Sequence, residues 1–167
     1  MRRLCLIVLA LVAVSLGGCV SPTPYQPADS SGANGYTVQK IESNRYRISF
    51  NGNSATSRQT VEQYLIYLAS QVTLQNGDDY FVMLDRNTDK STSYQTTYSG
   101  FGGGWGWRQG FVGAFPGDGY TRPIDEYDAM AEILTLTGKK PANDPRAYDA
   151  HEVAAQIGPS IVLPKTT

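Results

Sequence analysis

Residues 45–84 read RYRISFNGNSATSRQTVEQYLIYLASQVTLQNGDDYFVML, and the spacing of their apolar side chains changes twice. From Arg45 to Phe50 the alternation is strict: Tyr46, Ile48 and Phe50 share one face, and Arg45, Arg47 and Ser49 share the other. A period of two marks a strand with one face in a core and one in water. Asn51-Gly52-Asn53 ends it. Thr56 or Ser57 can then cap a helix, and Thr56-x-x-Gln59 has the spacing of a capping box. Val61, Tyr64, Leu65, Leu68 and Val72 fall on one helical stripe, and Gly77 stands where a left-handed residue closes a helix. Tyr80–Leu84, apolar at every position and short, predicts a central strand.

Upstream, Tyr36, Val38 and Ile41 predict a weaker first strand, joined to Arg45–Phe50 through the turn residues Glu42-Ser43-Asn44. Downstream, residues 87–123 break the pattern, with abundant glycine and aromatics and no sustained period; an insertion is expected at about 89–123. In Tyr127–Thr137, Tyr127, Ala129, Ala131 and Ile133 alternate before Gly138, which fits a strand better than a helix. Lys139-Lys140-Pro141 leaves it. Asp144-Pro145 offers one start for a last helix and Asp149-x-x-Glu152 a second. Val153, Ala154 and Ile157 give that helix its apolar stripe, and Gly158-Pro159 stops it. The order β-β-α-β-insertion-β-α predicts an α+β domain over 36–158, followed by a tail at 159–167. Its sheet is expected to be small and mostly antiparallel, of about four strands, with two helices on one face in a two-layer arrangement.

The N-terminus carries a different kind of signal. Met1-Arg2-Arg3 precedes an apolar run, Leu4–Leu16, broken only by Ser15. A helix crossing a bilayer needs about 20 such residues, whereas a shorter run behind a basic start suits a signal peptide. The run closes on Leu16-Gly17-Gly18-Cys19, which resembles the lipobox of bacterial lipoproteins. The resemblance implies that residues 1–18 are removed by cleavage between Gly18 and Cys19. It also implies that the Cys19 thiol receives a diacylglyceryl group and that the new amino group takes a further acyl chain of palmitate type. Each buried methylene contributes about 0.8 kcal/mol, so two or three chains hold what one binds reversibly. Val20, where an aspartate would retain the protein at the inner membrane, resembles the outer-membrane default. The implied location is the periplasmic face of that membrane, reached through lipid. Residues 20–35, VSPTPYQPADSSGANG, are rich in Pro, Ser and Gly; with Cys19 they read as a flexible tether, 19–35.

Several function classes lack their residues. The formal charge is −1, and removing Arg2 and Arg3 leaves 12 basic residues against 15 acidic, with no pull on nucleic acid. Cys5 departs with the signal and Cys19 is taken by lipid, so the mature domain has no thiol for a disulfide, a metal or a nucleophile. His151 is the only histidine, and no nucleophile is identifiable with it. Asp78, Asp79, Asp85, Asp125, Glu126, Asp128 and Glu132 read as turn and edge carboxylates; on the strand assignments above, Asp85 and Glu132 lie on neighbouring strands and can approach each other. Arg45 and Arg47 read as solubilising residues rather than as an anion site. Gly100-Phe101-Gly102-Gly103-Gly104 lacks the Gly-Lys-Ser/Thr ending of a phosphate loop. No catalytic residue, metal ligand or cofactor is expected. Tyr94, Tyr98, Phe101, Trp105, Trp107, Phe111, Phe115 and Tyr120 lie among the glycines of the insertion. The plain reading is a mobile loop whose rings fold partly onto the domain; such rings can also stack on sugars, lie at a lipid interface or fill a partner's groove, which makes Phe101, Trp105, Trp107 and Phe111 candidate binding residues.

Taken together, Arg45–Ser54 with Thr56, Val61-Glu62-x-Tyr64-Leu65, and Gly77-x-x-Tyr80-Phe81 resemble an uncharacterised family of short proteobacterial lipoproteins. Ala131-Glu132-Ile133 and Ala147-Tyr148-Asp149-Ala150 are similar to that family's C-terminal half, so the resemblance covers roughly 36–88 and 125–158. It implies a lipid anchor and a small α+β domain, and it assigns no catalytic residue. The expectation is a non-enzymatic envelope module acting through surface contacts with an envelope protein. A peptidoglycan-binding lipoprotein using Trp105 and Trp107 is the alternative, and a hydrolase built on the carboxylates and His151 ranks third.

Overall fold

The computed structural model describes residues 20–98 and 119–165. Gly18, Cys19, Phe101, Trp105, Trp107 and Phe111 lie outside the described residues. Within them the chain forms β1 (Gly35–Lys40), β2 (Arg45–Asn51), helix α1 (Arg58–Gln75), β3 (Tyr80–Tyr98), β4 (Gly119–Leu136), β5 (Ala147–Asp149) and helix α2 (Ala150–Ile157). The strands make one sheet in the order β1-β2-β4-β3-β5, antiparallel at every pairing. The fold is therefore α+β, with an antiparallel sheet and two helices.

The alternation of β2 decides which face the core takes. Tyr46, Ile48 and Phe50 are buried and lie opposite Ile133, Ala131 and Ala129 of β4, which are buried as well. Phe81 and Met83 of β3 extend this face, and Val61, Tyr64, Leu65, Leu68 and Val72 of α1 close over it. Each large apolar side chain taken fully from water here stabilises the fold by about 1.5–3 kcal/mol. Phe50 meets the Tyr64 ring edge-on, with centroids 5.0 Å apart. Helix α2 packs against α1, and Ala150 and Val153 join the same core.

Local chemistry sets the helix ends. Ser57, rather than Thr56, is the N-cap of α1, its side chain accepting from the Thr60 N–H at 3.1 Å. At the other end Gly77 takes φ +81°, with Gly77 N–H donating to Leu74 O and Asp78 N–H to Thr73 O, the two bonds of a Schellman closure. For α2 the second of the two candidate starts holds: Asp149 is the N-cap and accepts from the Glu152 N–H at 2.9 Å. Asp144 instead folds back on Arg146, accepting from its backbone N–H at 2.9 Å and from its guanidinium at 3.1 Å. That turn leads into β5, the fifth strand, which corrects the expected four. A strand of three residues offers too little alternation to be read from sequence.

Two further expectations change. The break expected at about 89–123 is regular at both of its ends: β3 continues to Tyr98, β4 begins at Gly119, and the two stay paired over their whole lengths, while 99–118 lie outside the described residues. Leu84 is the one irregularity, an extra residue between Met83, opposite Ile133, and Asp85, opposite Glu132. It is 40% exposed, so the central strand is not apolar-buried throughout. Beyond this bulge the side chains exchange faces, which brings Arg86 and Thr88 to the α1 side, opposite Ala131 and Ala129. The second change concerns residues 20–35, which dock on the domain instead of hanging free. Thr23 is buried, its N–H donating to Thr56 Oγ1 at 2.9 Å while its hydroxyl accepts from Asn53 N–H at 2.9 Å. Tyr25 packs against Tyr36, Tyr64 and Tyr67, and its N–H donates to Val162 O. Residues 26–28 run parallel to the start of β1. The expected tail is seated as well, since Val162 N–H donates to the Tyr64 hydroxyl at 3.1 Å.

Candidate interaction surface

The sheet has a body and an arm. Asn51, Asp128 and Asp89 stand in one row across β2, β4 and β3, and past that row β2 ends. β5 reaches only Val82. From Asp89 to Tyr98 and from Gly119 to Asp128 the two strands therefore run as a two-stranded ribbon whose outer backbone edges meet no other strand among the described residues. An isolated hairpin is marginal in water, so its cross-strand side chains matter. Lys90 Nζ lies 2.8 Å from Asp125 Oδ2, Thr92 donates to Asp125 Oδ1 at 2.8 Å, and the Thr96 and Thr121 hydroxyls are 2.9 Å apart. The Lys90 ammonium, then the Thr92 hydroxyl, holds the Asp125 carboxyl below its ordinary range. Arg122 donates to Gln95 Oε1 at 3.2 Å. At the root of the arm Arg86 and Arg58 both pair with Glu62 of α1, at 3.1 and 2.9 Å, which ties the first turns of the helix to the ribbon.

The arm leans beside the start of α1. Between them lies an open cleft of about 470 Å3 lined by Ser54–Ser57 on one side and by Arg122–Asp125 and Tyr127 on the other. The turn that forms one wall is the one that receives the N-terminal segment: Asn53 Nδ2 donates to Ser21 O at 2.8 Å. Tyr94 and Tyr120 stand on opposite faces near the distal end of the ribbon, each 73% exposed. The remaining aromatics singled out for binding fall on residues 99–118, between the two ribbon ends.

The carboxylates separate into groups. Asp85 and Glu132 are register partners, as their strand positions require. Glu132, however, accepts from Arg45 Nη2 and Arg47 Nη2, both at 2.6 Å, and these two guanidiniums, Arg47 first, hold it below the ordinary carboxylate range. A general acid needs the opposite shift. Arg45 and Arg47 are thus engaged with Glu132 rather than turned freely to solvent. Asp128 moves upward, through desolvation first and then through Glu126 and Asp89. Asp79 accepts from Gly138 N–H and Asp78 from Asn76, so both serve turns. His151 is exposed on the first turn of α2, beyond β5 at the far edge of the sheet from β2. Among the described residues no group of three or more His, Cys, Asp or Glu is arranged to hold a metal ion, and no helix is long and apolar enough to cross a membrane.

Sequence reasoning missed Thr23, Tyr25 and Gly35. An added Cβ at Gly35, which has φ +128°, would stand 2.6 Å from Gln26 O, so this glycine admits the docked segment. Its signal was an Asn-Gly pair inside a stretch whose Pro and Ser content read as disorder. No family model, no curated protein sequence and no solved structure matches this chain.

Proposed function

We propose that the chain is a lipoprotein of the cell envelope, held by acyl groups on Cys19 at the periplasmic face of the outer membrane, and that it works without catalysis as an interaction module. The observation that carries the second half is the ribbon. A polar two-stranded arm runs well past its sheet, pairs with no third strand among the described residues, and leads to a segment whose sequence holds Phe101, Trp105, Trp107 and Phe111 among glycines. Surface contact is what such an arm is suited to, since aromatic side chains supply most of the energy in small interfaces. The anchor half rests on the Leu16-Gly17-Gly18-Cys19 motif and on its resemblance to lipoprotein signals.

Two experiments test these halves separately. Labelling with radioactive palmitate should mark the wild type and leave Cys19→Ala unmarked; label on both, or on neither, removes the anchor. Crosslinking in intact cells followed by recovery from membranes should give one discrete adduct with the wild type. The adduct should disappear when Phe101, Trp105, Trp107 and Phe111 are all changed to Ser. An adduct that survives the change moves the contact off the arm. The peptidoglycan reading is favoured by the same aromatics, with Tyr94 and Tyr120 exposed beside them. Co-sedimentation with purified sacculi that Trp105→Ala with Trp107→Ala abolishes would select it over a protein partner.

A further inference from the structure

Three facts, taken together, orient the domain on its membrane. The N-terminal segment runs parallel to β1, so from Pro27 back to Ser21 it heads toward the end of the sheet where β2 finishes, and Asn53 holds Ser21 there. The ribbon leaves the body at that same end, past the row of Asn51, Asp128 and Asp89. And because the segment is docked, the slack that its composition suggested is absent: only Val20 separates the held Ser21 from Cys19, a reach of about 7 Å at full extension.

We infer that the ribbon lies in the headgroup layer of the membrane that holds the anchor, with Tyr94 and Tyr120 as its interfacial contacts. The inference rests on acylation of Cys19. Gly119–Tyr127 alone extends about 30 Å at roughly 3.3 Å per residue, several times the distance between the acylated residue and the body. An arm that starts beside the attachment point and is that much longer than its stalk meets the surface. It does not enter the hydrocarbon, because its open edges and its Thr, Ser, Asp and Lys side chains would each lose hydration there. The headgroup layer still hydrates those edges. Tyrosine, apolar in its ring and polar at its tip, is enriched at that depth, and one tyrosine stands on each face of the arm. Charge does not drive the contact: along the ribbon Asp89, Asp125, Glu126 and Asp128 outnumber Lys90 and Arg122. The surface it fits is accordingly a zwitterionic one. The opposite end of the sheet, where Leu136 pairs with Tyr80, faces away into the periplasm.

The test uses the acylated protein reconstituted in phosphatidylcholine vesicles that contain nitroxide-bearing lipid. Single-cysteine variants Tyr94→Cys and Thr137→Cys each carry a fluorophore; both positions are exposed, and Cys19 is blocked by its lipid. The label at position 94 should lose most of its emission and the label at 137 should keep nearly all of it. Equal losses, or the reverse order, on protein that co-sediments with the vesicles overturn the orientation and leave the anchor standing. Protein that stays in the supernatant with an unmodified residue 19 overturns the anchor, and the orientation with it. A label at 94 that is shielded from lipid but crosslinks to an envelope protein in intact cells also overturns the headgroup assignment. A second variant, Thr23→Val with Asn53→Ala, frees the docked segment. The difference between positions 94 and 137 should then shrink while vesicle binding persists, and an unchanged difference would show that docking does not set the orientation.

Discussion

Asp89 and Asp128 face each other as register partners, and desolvation, Glu126 and Asp89 together raise the Asp128 carboxyl above its ordinary value. A group raised on folding keeps a proton in the native chain that the unfolded chain has already released. Its ionisation therefore costs stability as pH climbs through the native value, and the cost is absent in acid below the unfolded one. Asp128→Asn should stabilise the protein at pH 7, by roughly 0.2–0.5 kcal/mol after solvent screening. The advantage should vanish near pH 3, as urea unfolding at the two pH values would show. Glu132 has the opposite sign, because Arg47 and Arg45 depress its pKa. Its contribution is present above the unfolded value and is lost as pH falls through the depressed one. Neither sign was legible in the sequence. It showed acids scattered along the chain, and only the register tells which of them meets an arginine and which meets another acid.

At the scale of elements, legibility followed burial. β2 and α1 could be read because each buries one face, so hydrophobic spacing reports geometry. The ribbon buries neither face, and a strand made of Thr, Ser, Asp and Lys alternates nothing that a hydrophobic pattern can register. Pairing along it is written instead in hydroxyl and ion contacts between residues some thirty positions apart, such as Lys90 with Asp125. The docked segment failed for the converse reason. Its proline and serine content is that of a linker, and the contacts of Thr23 and Tyr25 depend on residues that only the fold brings near. Gly35 tests this element directly. Gly35→Ala should push residues 26–28 off β1, which protease cleavage after Tyr25 would detect, while the β2–β4 pairing and its far-ultraviolet signal stay in place.

The molecule as a whole divides into a packed body and a wetted arm, and stability should divide along the same line. Amides of Ile48, Phe81, Met83 and Ile133 should exchange with solvent only through global unfolding. Those of the ribbon beyond Asp89 and before Asp128 should exchange through local opening, and hydrogen exchange followed residue by residue would show a step at that row rather than a gradient. The bulge at Leu84 has a consequence for how this chain can vary in length. Because Leu84 stands outside the ladder, losing it would leave Asp85 opposite Glu132 and Arg86 opposite Ala131, with every distal face unchanged. Drawing Leu84 into the pairing would instead invert each distal position. Arg86 would turn away from Glu62 and Lys90 away from Asp125, while Asp85 and Asp89 rotated beneath the helix that Glu62 occupies. The bulge is thus a parity bit at the root of the arm, and pairing its residue turns the arm inside out.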